Sequence, residues 1–129
     1  MNSASSQGYF ALRNVSPNFY DKYRLPAYLK RSLPAKKDAA ILDIGCGFGQ
    51  MLLALREEGY TRLKGVDVEP EAVDRCRQEG LDVELITSLQ EYCAKQEPTT
   101  GFIIMSHVLE HLPKSAIVDT LRTIRLHLM

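Results

Sequence analysis

Three glycines at alternate positions follow a short apolar run near the first third of the chain. The run 41–44 leads directly into Gly45, Gly47 and Gly49. Because glycine has no Cβ atom, its backbone can turn tightly and approach a ligand closely. A helical pattern and a second apolar run then end in Asp67, whose carboxylate can accept hydrogen bonds from two ribose hydroxyls. This order of residues predicts a site for a nucleotide-like ligand.

The glycine spacing excludes two common phosphate-binding loops. A dinucleotide loop has the pattern Gly-x-Gly-x-x-Gly, but Gln50 stands where its third glycine would be. A P-loop ends in Lys-Ser or Lys-Thr, and no such pair follows Gly49. The loop therefore has the glycines of a ligand cradle without the pattern that grips a pyrophosphate.

The segment from Asp43 to Gly49 resembles the Asp-x-Gly-x-Gly-x-Gly motif of the class I S-adenosylmethionine (SAM) dependent methyltransferases. The resemblance covers about residues 39–129 and implies a Rossmann-like parallel sheet with flanking helices. It also implies SAM as cofactor and S-adenosylhomocysteine (SAH) as product. The cofactor-binding residues that it implies are Asp43, Gly45, Cys46, Gly47, Gly49, Asp67, Val68, Ser88, Leu89 and Ser106.

Alternating strand and helix patterns support an α/β fold with right-handed crossovers. Strands are predicted over 39–44, 63–68, 82–86 and 102–106, and the last is apolar throughout, which is typical of a central strand. Helices are predicted over 50–58, 70–79, 89–95 and 115–128, with shorter ones over 19–33. In the last long helix the predicted buried stripe is Ile117, Leu121, Ile124 and Leu128. The carboxyl ends of the strands would then gather the glycine loop, Asp67, Ser88 and Ser106 at one edge.

The resemblance also sets an expectation for the extent of the fold. Family members continue with three more strands, so we expect this chain to be the N-terminal part of a seven-stranded methyltransferase. Residues 1–38 would form a helical or lid segment, and 39–129 the SAM-binding domain. An open sheet edge would then allow self-association, and a piece lacking one wall of the acceptor pocket would be a poor catalyst.

The segment 106–112 follows the fourth predicted strand and contains two histidines. Similar segments occur in methyltransferases that act on small molecules, quinone precursors and sugars, which implies a small-molecule or glycan-type acceptor. Methyl transfer needs a general base only if the acceptor must lose a proton, and His107 and His111 are the candidate catalytic residues. The alternative is that Glu110 and His111 merely pair and cap the turn. Since His107 stands where metal-binding relatives have Glu, no metal site is predicted.

Two other function classes remain open at this stage. The residues His107, Glu110 and His111 match the His-x-x-Glu-His pattern of a zinc metallohydrolase. That site needs both histidines on one helix and a third ligand, whereas Pro113 follows the motif closely and only Asp119 is available as a downstream acid. The other class is a SAM-binding module without catalysis.

Composition places few further limits on function. The chain has 129 residues, 45% of them hydrophobic and 25% charged, which suits one globular domain without a membrane span or signal peptide. Three scattered cysteines predict reduced thiols and a cytoplasmic protein. Residues 1–38 hold seven Lys and Arg against two Asp, and the rest holds nine against fourteen Asp and Glu. This asymmetry is either internal charge balance or a basic lip for an acidic substrate; no nucleic-acid motif accompanies it.

Overall fold

Four parallel strands form one sheet in the order β3-β2-β1-β4. The protein is described from a computed structural model that covers residues 24–96, 100–106 and 108–129. The strands are β1 (Ala40–Ile44), β2 (Arg62–Asp67), β3 (Val83–Leu85) and β4 (Phe102–Ile104). The predicted parallel α/β fold is therefore confirmed, with strand ends that differ from the predicted ones by at most two residues.

The helices alternate with these strands along the chain. They are α1 (Ala27–Ser32), α2 (Gln50–Glu57), α3 (Pro70–Gln78), α4 (Leu89–Ala94) and α5 (Lys114–Leu128), with a 3₁₀ turn at Leu109–His111. The four predicted helices between 50 and 128 are confirmed within one residue at each end. Of the helical segment predicted over 19–33, residues 19–23 lie outside the described part, and α1 begins directly after Pro26.

Local signals in the sequence explain where α2 and α3 begin and end. Pro70 occupies the first turn of α3, where its missing N–H costs no hydrogen bond. Gly59 and Gly80 follow α2 and α3 with φ of 100° and 77°, a left-handed conformation that other residues rarely adopt. The Gly59 N–H bonds the carbonyl of Arg56 at 3.0 Å and so closes the end of α2.

Side chains of β1 alternate between the two faces of the sheet, and helices cover both faces. One buried cluster joins Ile41 of β1 to α1, α2 and β4, and a second joins Leu42 to α4 and α5. A third cluster lies between β2, β3, α2 and α3, beneath the glycine loop. The described part of the predicted lid segment packs on the first cluster through Leu29 and Leu33. In the same segment, Lys30 Nζ forms an ion pair with Glu58 Oε1 at 2.9 Å.

Three details of the core differ from the predictions. In the described sheet β4 lies at an edge rather than in the centre; its residues are apolar because clusters lie on both of its faces. Leu121 is 44% exposed, and the buried stripe of α5 passes through Thr120 instead. Val83 and Leu85 alternate with polar neighbours, which predicts that both are buried, but Leu85 is exposed because β3 is the opposite edge strand. Among the described helices, none has the length and apolar character needed to cross a bilayer.

Candidate functional site

The glycine loop connects β1 to α2 through a turn with three left-handed residues. The φ angles of Gly45, Gly47 and Gly49 are 74°, 57° and 86°. The backbone N–H groups of Gly45 and Cys46 both donate to the carbonyl of Val66, at 2.9 and 3.2 Å. The beginning of the loop is thereby held against the carboxyl end of β2, where the sequence places the predicted acidic residue.

The three glycines have different surroundings. A Cβ atom on Gly45 would lie 2.6 Å from Val108 Cγ2, and one on Gly49 would lie 2.7 Å from Leu81 Cδ1. Both positions are therefore closed by packing against neighbouring elements. A Cβ atom on Gly47 would meet nothing nearer than Gln50 Oε1 at 4.0 Å. Only the middle glycine thus faces open space, where a ligand can approach the backbone.

The Asp67 carboxylate holds this loop in place. Its Oδ2 accepts the backbone N–H of Gly47 at 2.8 Å, and its Oδ1 accepts that of Glu69 at 2.9 Å. A carboxylate offers about four acceptor sites, so each oxygen retains a lone pair for a further donor. Asp67 is only partly buried, and it can therefore organise the loop and still accept hydrogen bonds from a ligand.

A second carboxyl group, that of Asp43, is buried at the end of β1. Asp43 is 1% exposed, and within the described residues its Oδ1 has no hydrogen-bond partner. Burial and, to a smaller extent, the nearby charge of Asp67 together raise the pKa of Asp43 to about 7. A cationic ligand group beside Asp43 would favour its ionised form. Strong perturbation of a carboxyl group next to a ligand loop is typical of functional sites.

A cavity of about 300 Å³ opens beside the loop, at the carboxyl ends of β1 and β2. It is lined by Ile44, Gly45, Val66, Asp67, Val68, Ile86, Ser88, Leu89, Gln90, Val108, Leu112 and Thr120. Five predicted cofactor residues are thus brought together, namely Gly45, Asp67, Val68, Ser88 and Leu89. Two larger cavities, of about 460 and 450 Å³, share Thr61, Leu63 and Asp82 near the opposite ends of the strands, away from the glycine loop.

The remaining predicted cofactor residues do not line this cavity. Asp43 lies behind the loop, Gly47 and Gly49 form the loop itself, and the Cys46 side chain is buried in the core beneath it. Ser106 is exposed after β4. Their roles toward a cofactor stay predictions.

The sequence did not predict several of the residues that line this cavity. Gln90, Leu112 and Thr120 come from α4, from the segment after the 3₁₀ turn and from α5. Ile86 lies one residue beyond the end of β3. Its position next to a strand end is the one feature of the sequence that could have indicated a residue at the cavity. Thr120 carries no such signal, because only the packing of α5 on the sheet brings it to the site.

Two predicted residues at the cavity have informative environments. Val68 is 59% exposed although it is apolar and lines the cavity, so a planar apolar ligand group would remove its surface from water. The Ser88 hydroxyl oxygen accepts the N–H of Glu91 at 3.1 Å and caps α4. Its O–H group remains available as a donor.

The two histidines of the second motif are only partly covered by the structure. His107 lies outside the described residues. His111 belongs to the 3₁₀ turn, is 75% exposed in its side chain and lies 3.6 Å from Glu110 through its Nε2 and Oε1 atoms. It does not line the cavity, and the pairing agrees with the structural alternative for this motif. Residues 109–111 form a single turn rather than the helix that a zinc hydrolase motif requires, and no metal-binding cluster of three occurs among the described residues.

A family model described as a methyltransferase domain matches residues 18–129. The chain belongs to this methyltransferase family. A crystal structure of a SAM dependent methyltransferase from Archaeoglobus fulgidus is similar to it, with a TM-score of 0.65 and 28% identity over 79% of this chain and 46% of that one. The predicted family and fold are therefore confirmed, and SAM is the cofactor named for this structural neighbour.

Curated relatives in the methyltransferase family differ in their acceptors. The chain is 31% identical to a ubiquinone biosynthesis O-methyltransferase from Xylella fastidiosa, over 71% of this chain and 39% of the relative. It is 28% identical to a ribosomal protein L11 methyltransferase from Thermotoga maritima, over 74% of this chain and 36% of the relative. The chain thus spans less than two fifths of the length of these relatives. These matches support methyl transfer as the family's chemistry and leave its acceptor to be determined.

Proposed function

We propose that the protein transfers a methyl group from SAM to a small-molecule acceptor or a glycan or lipid precursor. The observation that carries this proposal is the contact of the Asp67 carboxylate with the Gly47 N–H, beside the 300 Å³ cavity. This contact ties a glycine loop to the acidic end of the next strand. Three free cysteines support a reducing compartment such as the cytoplasm.

The residues at the site fit the chemical groups of SAM. Asp67 retains acceptor capacity for ribose hydroxyls, and Val68, Ile86 and Leu89 offer apolar surface to an adenine ring. The Oδ1 of Asp43, which has no hydrogen-bond partner among the described residues, would carry a negative charge near the loop once a cationic cofactor favours the ionised form of this carboxyl group. Gly47 leaves open space for the cofactor to lie against the backbone. Cofactor binding through Asp43, Cys46, Gly47, Gly49 and Ser106 belongs to this proposal.

Bound SAM supplies a methyl group activated on a positively charged sulfur. The work of the protein is then to orient the two reactants and to exclude water. Asp67, together with Asp43 in its ionised form, provides the negative environment that retains a cation, and the packing of Gly45 and Gly49 against side chains restricts the conformations of the loop. If the acceptor loses a proton, His107 and His111 are the proposed bases.

Phenolic quinone precursors are the acceptors that we place first. Of the Xylella and Thermotoga relatives, which each match more than two thirds of this chain, the Xylella O-methyltransferase has the higher identity, at 31% against 28%, and this supports a hydroxyl acceptor. A ribosomal-protein acceptor is the competing choice. Self-association through the open edge of β4 stays a prediction.

The first experiment is calorimetric titration of the folded protein with SAM and SAH. Methyl transfer from labelled SAM is then measured with a catechol-type quinone precursor, a phosphorylated sugar and ribosomal protein L11. Binding together with transfer to the quinone precursor or the sugar supports the proposal, and transfer to L11 alone would reject the small-molecule acceptor. Binding without transfer to any acceptor favours the non-catalytic module, and a folded protein that binds neither compound would refute the cofactor assignment.

The role of His111 is tested separately, once an acceptor is known. His111→Ala should lower kcat by about a hundredfold or more if His111 acts as the base, with SAH affinity retained. His127→Ala is the matched control, because His127 lies in the last turn of α5, outside the segment 106–112. Full activity in His111→Ala would leave orientation, or His107, as the source of catalysis.

A further inference from the structure

Two cysteines face each other beneath the glycine loop. Cys46 is a loop residue and Cys76 lies on α3, and their side chains are 3% and 0% exposed. Both lie in the same buried cluster, and a hydrogen bond between their thiols shifts the pKa of each. Both sulfur atoms also approach one carbonyl oxygen, that of Gly47, at 3.9 Å for Cys46 and 3.2 Å for Cys76. The two sulfur atoms are therefore neighbours of one carbonyl oxygen in the backbone of the loop.

The two thiols differ in their readiness to ionise. The hydrogen bond from Cys46 lowers the pKa of Cys76, since it stabilises the Cys76 thiolate. The same hydrogen bond, together with burial, raises the pKa of Cys46. A thiolate, rather than a thiol, attacks peroxides and disulfides. Cys76 is therefore the nucleophile of the pair, and Cys46 is placed to resolve the oxidised product.

We propose that Cys46 and Cys76 form a reversible disulfide under peroxide and that this disulfide weakens cofactor binding by the glycine loop. In the first step the Cys76 thiolate attacks hydrogen peroxide, the O–O bond breaks, and Cys76 becomes a sulfenic acid while hydroxide leaves. In the second step the Cys46 sulfur, losing its proton, attacks the Cys76 sulfur and displaces the oxygen as water. Overall, two thiols and one peroxide give one disulfide and two waters.

The effect on the loop follows from the shared carbonyl. The Cys76 thiol donates to the Gly47 oxygen at 3.2 Å in the reduced protein, and a disulfide has no S–H group to donate. The Gly47 carbonyl, which belongs to the peptide unit between residues 47 and 48, would lose this hydrogen bond, whereas the preceding peptide unit keeps the contact of the Gly47 N–H with Asp67. The Gly47 carbonyl, beside the open space at the middle of the loop, would therefore be held less firmly. Disulfide formation does not depend on the proposed function, whereas its effect on SAH affinity rests on it.

Access of the oxidant requires local opening, because both sulfur atoms are buried. Hydrogen peroxide is small, and Cys46 lies in a loop that can open without unfolding the sheet. Cys93 is equally buried but belongs to a different cluster, on the other face of the sheet. It therefore serves as an internal control for general oxidation of buried thiols.

The experiment treats the folded protein with hydrogen peroxide at low molar excess. Intact mass and peptide mapping then locate any disulfide, and calorimetry measures SAH affinity before oxidation, after it and after reduction with dithiothreitol. The expected product is a monomer lighter by two hydrogen atoms, with Cys46 linked to Cys76. SAH affinity should fall on the order of tenfold, as expected for the loss of one buried hydrogen bond, and should recover on reduction.

Cysteine variants distinguish formation of the disulfide from its effect on SAH affinity. Cys93→Ser should still form the link, and Cys76→Ser should neither form it nor lose SAH affinity under peroxide. Peptide mapping of the unaltered protein shows whether Cys46 and Cys76 become linked, even if Cys76→Ser does not fold. Links only between chains, or oxidation of Cys93 as fast as of Cys76, would overturn the disulfide. A Cys46–Cys76 link with unchanged SAH affinity would overturn its effect on binding, and a reduced protein that never binds SAH would contradict the proposed function while leaving the disulfide in place.

Discussion

The carboxylate of Asp67 accepts the backbone N–H of Gly47 at 2.8 Å, across twenty positions in the sequence. One residue ends the second strand and the other forms the middle of the glycine loop. Since the same carboxylate also accepts the Glu69 N–H at 2.9 Å, Asp67 determines the shape of two neighbouring segments. Its role in the proposed site is therefore to organise the loop as well as to contact a ribose.

Replacement of Asp67 should weaken cofactor binding more than it weakens the fold. Asp67→Ala removes the acceptor of two backbone N–H groups and the proposed partner of the ribose, so SAH binding should lose about 1.5–3 kcal/mol. Calorimetry measures this loss. Asp74→Ala is the matched control, because Asp74 is an exposed acid on the neighbouring helix α3. Equal SAH affinity in the two variants would place the ribose elsewhere.

Substitutions of the loop glycines should distinguish an effect on the stability of the fold from an effect on SAH binding. Gly49→Ala should lower the free energy of unfolding by about 2–4 kcal/mol, because its Cβ would meet Leu81 and Cys76 at 2.7 and 2.9 Å with φ at 86°. Gly47→Ala should cost only about 1 kcal/mol of stability for its left-handed φ, but should reduce SAH affinity. Urea unfolding and calorimetry distinguish the two effects. Similar losses of stability in both variants would contradict the open space at Gly47.

Stability should fall as pH rises, through the titration of Asp43. The pKa of Asp43 rises on folding from 3.8 to about 7, so the folded protein holds this proton where the unfolded chain has lost it. Protonated Asp43 contributes up to about 4 kcal/mol to the free energy of unfolding. This contribution is fully present below about pH 4 and is lost as the pH rises to 7. Urea unfolding of the unaltered protein and of Asp43→Asn across this range checks the prediction. The difference in their unfolding free energies should change with pH, and a constant difference would show that Asp43 keeps an ordinary pKa.

Val68 should contribute to binding and little to stability. Its side chain is 59% exposed at the cavity, so Val68→Ala should change the free energy of unfolding by less than about 0.5 kcal/mol. The same change should cost about 1 kcal/mol of SAH affinity, since two methyl groups no longer cover the proposed adenine. Val118→Ala is the control, because Val118 is 61% exposed on α5 and does not line the cavity. A loss of SAH affinity in Val118→Ala as large as in Val68→Ala would argue against the adenine position.

Helix ends and the glycine loop were predictable because they depend on local chemistry. Pro70, Gly59 and Gly80 mark their helix ends through backbone conformations that few other residues allow. Burial was less predictable, since it depends on what lies opposite. Leu121 fits a helical stripe as well as Thr120 does from spacing alone, and only the docking of α5 on the sheet buries one and exposes the other.

The sequence by itself determined the alternation of strands and helices, the glycine turn and the acidic end of β2, because each arises from contacts between residues close in the chain. The tertiary structure alone decided that Gly45 and Gly49 are closed while Gly47 is open, that Thr120 reaches the cavity, and that Cys46 and Cys76 approach the same carbonyl oxygen. The physical reason is distance along the chain. These contacts join residues on elements that meet only when the helices pack on the sheet, and no local pattern specifies which side chains then face each other.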